Sequence, residues 1–203
     1  MPGPTRGFVG KRRPDRSHAL PPGQYDTGND FPVLTAEATP RLDPDRWRLT
    51  VNGLAANPHS WTWQDLHLLP QSEYRGDIHC VTTWSKFDTR FGGVSVDLLL
   101  DAVDPLPNAA YVLATSTTGY TTNLPLEHLR NNKAWIVWSY DGKPLPREHG
   151  GPVRLLVPHL YFWKSAKWVT ELTLLEHDKQ GFWERNGYHD LGDPWLEQRY
   201  QGD

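Results

Sequence analysis

Eighteen prolines and seventeen glycines interrupt this chain of 203 residues. Proline removes a backbone donor and glycine adds chain entropy, so such punctuation leaves room for few helices of any length. Several of the short apolar stretches between the breaks alternate with period two. Trp47, Leu49 and Val51 alternate with Arg48 and Thr50 ahead of Asn52-Gly53, the pattern of a half-buried strand that ends in a turn. Further strands are expected over 110–115, 134–140, 153–157 and 168–175, with a cationic loop between the last two. Asp141-Gly142 reads as a hairpin turn after the second of these runs, 134–140. The best helical stretch is Ser95 to Val103, with Ser95 as its N-cap, and a shorter one starts at Thr62 and stops before Pro70. The fold class is therefore α+β: a strand-rich mixed sheet or barrel with short helices.

Residues 1–26 are rich in Pro, Gly and Arg and read as an extended N-terminal arm, leaving one domain over 27–203. A net charge of −3 argues against a general nucleic-acid surface and leaves Lys11-Arg12-Arg13 as a solvated basic cluster. Arg12-Arg13 has the look of a twin-arginine export signal, but Pro-Asp-Arg-Ser-His follows instead of an apolar region, so a cytoplasmic address is expected. No apolar run is long enough to span a bilayer. The ten tryptophans are expected to fill cores and loop-rich interfaces.

Cys80 is the single cysteine, in the run Asp77-Ile78-His79-Cys80-Val81-Thr82-Thr83-Trp84-Ser85-Lys86. One thiol excludes an internal disulfide, a CxxC zinc site and a cysteine-held iron–sulfur cluster. The nine histidines form no HExxH, which argues against zinc hydrolase chemistry. Downstream, Asp141-Gly142-Lys143-Pro144-Leu145-Pro146 leads into His149-Gly150-Gly151-Pro152-Val153-Arg154, and Lys164-Ser165-Ala166-Lys167 follows. Backbone N–H groups, a lysine and a forked arginine so close together suit a phosphate.

Together these segments resemble the sulfite oxidase family, and in particular its compact single-domain bacterial and archaeal oxidoreductases. The resemblance runs from about Pro21 to the end and includes Gly181-Phe182-Trp183-Glu184 and Gly192-Asp193-Pro194-Trp195. It implies molybdopterin with molybdenum, Cys80 being the protein's sulfur ligand to the metal; tungsten would take the same ligands. His149 and Arg154 match the family's HGxPVR element, and Ser165, Ala166 and Lys167 its cofactor-binding loop. Asn29, Asp30, Phe31 and Pro32 match an N-terminal cofactor segment, Ser116 a cofactor contact, and Tyr120 the active-site tyrosine. Lys86 and Arg90 are expected on a loop near the pocket, where cations attract an anionic substrate and favour a thiolate. His79 is expected to face away from Cys80 as a hydrogen-bonding neighbour.

The implied activity is oxygen-atom transfer on a small sulfur-containing or other oxyanion or S-oxide substrate. No CxxCH and no GxGxxG occurs, so electrons are expected to pass to or from a separate protein or small carrier. The haem domain, the C-terminal immunoglobulin-like domain and the export signal of larger or periplasmic relatives have no counterpart in this sequence. The alternative is a non-catalytic molybdopterin carrier or assembly scaffold.

Overall fold

A computed structural model describes residues 19–203, so the Lys11-Arg12-Arg13 cluster lies outside the described residues. Two sheets carry the fold. The first contains β1 (Tyr25–Asp26), β4 (Ser72–His79), β5 (Trp84–Ser95), β8 (Trp135–Tyr140), β9 (Lys143–Pro144) and β10 (Arg154–Leu156). The second runs in the order β3 (His59–Thr62), β2 (Arg48–Gly53), β11 (Val169–Leu175), β6 (Tyr111–Ser116) and β7 (Thr121–Pro125). Three short α-helices, α1 (Trp63–Leu68), α2 (Val96–Val103) and α3 (Phe182–Arg185), and four single-turn 3-10 helices complete the regular structure of the described residues. Among the described residues no helix is long and apolar enough to cross a membrane.

Local chemistry accounts for most of these elements. Leu49 and Val51 of β2 are buried while Arg48 is exposed, as the period-two alternation requires. Thr62 caps α1 through a reciprocal capping box with Asp65, and Ser95 caps α2 by accepting from the Asp97 N–H. The α2 face formed by Val96, Leu99, Leu100 and Val103 is buried against β2 and β5. Asp141 and Gly142 both have positive φ and turn β8 into β9.

The stretch holding Lys86 and Arg90 is a strand and not the expected loop. β5 pairs antiparallel with β4 and β8 and, at its start, parallel with β1. It is buried for most of its length, polar Ser85, Lys86 and Thr89 included, so no alternation marks it in the sequence. Tyr25 and Asp26, assigned above to the arm, pair with Trp84 and Ser85.

Gly93 permits the β5–β8 approach, at a register shift between Gly92 and Gly93. A Cβ there would lie 2.0 Å from the Ile136 carbonyl oxygen and 2.7 Å from Val137 Cα. Gly93→Ala is expected to lower stability by about 1–3 kcal/mol in urea unfolding, as overpacking does; an unchanged midpoint would contradict this close approach.

His128 Nδ1 and His159 Nε2 lie 2.9 Å apart in stacked rings. Burial, then the neighbouring His128 and Lys133, lower the His159 pKa from 6.5 to about 4. The unfolded chain therefore takes up a proton before the folded one does, and stability falls as pH drops from 6.5 toward 4. His159→Gln is expected to shallow that slope in melting temperature against pH, with no difference in slope above pH 7.

Candidate active site: a cavity behind the cysteine turn

Cys80 sits where β4 turns into β5. Its N–H donates to the Trp84 carbonyl at 2.8 Å, its carbonyl accepts from Thr83 at 3.0 Å, and Thr83 takes φ 73° to close the turn. Both ends of the described chain clasp this turn. Gln24 Nε2 donates to the Cys80 carbonyl and Tyr25 N–H to the Thr83 carbonyl, while Arg199 bridges the carbonyls of Val81 and Pro22.

Behind the turn lies a cavity of about 310 Å³, within the range of small-ligand sites. Cys80, Pro32, Tyr120, His149, Arg154, Ser165, Ala166 and Lys167, all singled out in the sequence, line it. The Cys80 Sγ lies 3.2 Å from Thr82 Oγ1, and burial pushes the thiol pKa up, so the free side chain holds its proton at neutral pH. Tyr120 donates to the Trp163 carbonyl at 2.7 Å, and burial raises its pKa well above the ordinary value.

Arg154 is 1% exposed. Its Nη1 and Nη2 donate to the carbonyls of His149 and Ser165 at 2.7 and 2.6 Å, its Nε to Leu155 at 3.3 Å, and its guanidinium lies 4.0 Å over the Phe162 ring. Three of the five N–H groups of a guanidinium are thereby directed at carbonyls. Lys167 Nζ donates to the carbonyls of Leu34 and Glu148, and burial beside Arg154 lowers its pKa to about 8. Phe31 stacks on His149 at 3.8 Å. Burial, with Arg154 and Lys167 nearby, lowers the His149 pKa to about 4, so its imidazole is neutral at physiological pH.

Other expected site residues lie elsewhere. Asn29 and Asp30 are exposed at the chain's approach to the cavity. Ser116 is buried and donates to the Lys167 carbonyl, supporting the loop from behind. Arg90 does not line the cavity; it faces Glu73 at 3.6 Å from β5, with its side chain 41% exposed. Lys86 is buried and donates to the Gly28 carbonyl. His79 faces Ser85 Oγ at 2.7 Å and does not line the cavity, in keeping with its expected direction.

The sequence reading missed the aromatic wall. Trp84, Phe162, Trp163, Trp183 and Tyr188 line the cavity, and nothing local in the sequence separates them from core aromatics. Trp163 is fixed from behind by Glu184, whose Oε1 accepts from Trp163 Nε1 at 2.9 Å, Thr122 Oγ1 at 3.0 Å and Lys164 Nζ at 2.6 Å. The Lys164 and Glu184 side chains are both 0% exposed. Burial lowers the Lys164 pKa and the carboxylate opposes that shift.

The donor set fits a molybdopterin: a soft thiol from Cys80, neutral His149, and cationic Arg154 and Lys167 converge on one cavity. Trp84 adds a buried indole N–H that has no hydrogen-bond partner, a donor suited to a ligand acceptor. Gly150, at φ 107°, lets its loop close on Arg154 and Lys167, whose Cβ atoms would lie 3.0 and 3.1 Å from an added Cβ.

Lys164→Met leaves Glu184 buried without its counter-charge and is expected to cost about 3–5 kcal/mol in urea unfolding, whereas Lys164→Met/Glu184→Leu recovers most of the loss. A single variant as stable as wild type would show that the pair is not charged.

A family model described as the oxidoreductase molybdopterin-binding domain matches residues 36–183. The chain is 40% identical to the uncharacterized oxidoreductase YuiH of Bacillus subtilis over 97% of this chain and 100% of that protein. It is 30% identical to the putative protein-methionine-sulfoxide reductase subunit YedZ1 of Azospira oryzae, over 74% of this chain and 57% of that one. Human mitochondrial sulfite oxidase is 27% identical over 81% of this chain, which spans 34% of that protein. The sulfane dehydrogenase SoxCD from Paracoccus pantotrophus shares the fold at a TM-score of 0.63 and 21% identity, over 69% of this chain and 41% of that one. With the family model spanning the cysteine turn, the HGxPVR-like element and the lysine loop, this chain belongs to the family of molybdopterin-binding oxidoreductases.

Proposed function

We propose that the protein binds molybdenum through molybdopterin and carries out oxygen-atom transfer on a small uncharged sulfur compound, an S-oxide or its thioether partner. The observation that carries this reading is the convergence of Cys80 with His149, Arg154 and Lys167 on one aromatic-walled cavity. In this reading the Cys80 thiolate holds the metal, while Lys167, His149 and the backbone around Gly150 and Ser165 hold the pterin and its phosphate. The bound cofactor supplies the two-electron oxygen-transfer chemistry.

The protein's own groups position and shield. Ligation requires Cys80 to release its proton, against a thiol pKa raised by burial, so loading releases a proton. Tyr120 stays a neutral phenol and holds its proton on the Trp163 carbonyl, so its role is donation and positioning, not that of a base. Trp84, Trp163 and Trp183 contribute aromatic surface to the wall of the cavity that holds Cys80. With the single cysteine in the cavity, electrons are exchanged with a separate carrier.

Charge balance supports an uncharged substrate over an oxyanion. Among the described lining residues the cations are Arg154 and Lys167, whose donors are committed to carbonyls and, in this reading, to the cofactor phosphate. Glu37 adds a carboxylate to the same wall, opposing an incoming anion. Arg90, which would have supplied attraction, is turned to Glu73.

In protein made by cells competent in cofactor synthesis, near-stoichiometric molybdenum and pterin are expected. Cys80→Ala is expected to lose at least a hundredfold in turnover and to change the metal's absorption while retaining pterin. Wild type is expected to favour dimethyl sulfoxide over sulfite by tenfold or more in kcat/KM. Cofactor-loaded protein inert to every sulfoxide and oxyanion would instead support a carrier, and faster sulfite oxidation would reverse the substrate assignment.

A further inference from the structure

Glu184 accepts all three of its side-chain hydrogen bonds on Oε1, while Oε2 is buried with no partner. A buried carboxylate oxygen left without a partner carries a cost, so its placement calls for an explanation. The donors gathered on Oε1 come from two segments: Thr122 of β7, and the adjacent Trp163 and Lys164, of which Trp163 lines the cavity and Lys164 begins the loop leading to Lys167. Lys164 Nζ also donates to the Asn123 and Asp190 carbonyls, so the ammonium ties that loop to β7 and the C-terminal segment. Gly181 lets α3 sit tightly against β7, since an added Cβ would lie 2.4 Å from Thr122 Cα.

The consequence reaches the space beside Cys80. Trp163 lines the cavity, its Nε1 donates to Glu184, its ring packs against Tyr161 and Tyr188, and its carbonyl accepts from the Tyr120 hydroxyl. Trp183, the residue before Glu184 on α3, lines the same wall. We propose that Glu184 is a positioning residue that sets the angle of the Trp163 indole and so fixes the fit of the substrate's organic portion. This rests on the oxygen-transfer reading above. Lys164 holds the carboxylate in place and touches no substrate.

Two variants separate positioning from stability. Glu184→Gln keeps an acceptor at Oε1 but removes the charge; it is expected to lose stability while keeping KM within threefold of wild type. Lys164→Met/Glu184→Leu replaces the pair by apolar groups; it is expected to keep the stability but free the indole, raising KM tenfold or more with kcat within threefold. The probe is methyl phenyl sulfoxide with reduced benzyl viologen, two electrons and two protons converting the S–O bond to sulfide and water. Molybdenum and pterin content confirm loading in each variant.

A readout independent of turnover is near-ultraviolet circular dichroism, which reports fixed indole orientation. The double variant is expected to lose a tryptophan band that Glu184→Gln retains, and the difference is expected to vanish in a Trp163→Phe background. A double variant with wild-type KM and dichroism would overturn the proposal and leave the pair a structural tie. If wild type reduces no sulfoxide, the oxygen-transfer reading fails, and the dichroism comparison alone decides whether Glu184 sets the wall.

Discussion

A single buried guanidinium organises this molecule around its cavity. Arg154 is too deeply placed for water to solvate it, so its charge must be met by protein dipoles, and the carbonyls of His149, Leu155 and Ser165 meet it. The Leu155 carbonyl lies in β10 itself, and those of His149 and Ser165 belong to the segments on either side of it. Satisfying one cation therefore sets the distance between the His149 loop and the Ser165–Lys167 loop. Phe162 lies over the cation's face, and Phe31 reaches the same site from the N-terminal segment by stacking on His149. The buried charge thereby ties the two loops to each other.

The elements that were legible in the sequence share a local cause. Strand β2 shows itself by alternation of Leu49 and Val51 with Arg48, and α2 by the Ser95 cap and an apolar face. Strands β4 and β5 do not, because β5 is covered on both faces and carries Ser85, Lys86 and Thr89 inside. Register shifts at Gly76 and Gly92 break any period that remained. Reading Lys86 and Arg90 as loop cations followed from their charge and their closeness to Cys80 in the chain; sheet pairing placed one inside and turned the other outward.

The cavity divides along the same line. Residues held in contiguous motifs, Cys80 and the segments containing His149, Arg154 and Lys167, could be named in advance because their chemistry is written in short strings. Trp163 and Glu184, or Tyr120 and Trp163, meet across 21 and 43 residues. Such pairs leave no period to read, and a tryptophan facing a cavity looks like one packed in a core. The short motifs that line the cavity were thus more legible than its aromatic wall.

The clasp on the cysteine turn bears on how the protein is made. Gln24 and Tyr25 hold the turn from one side and Arg199 from the other, so its support joins residues more than 170 apart, Pro22 and Arg199 among them. Such distant contacts carry the largest loop-closure entropy in the chain. During synthesis the turn cannot be fully braced until Arg199 has left the ribosome.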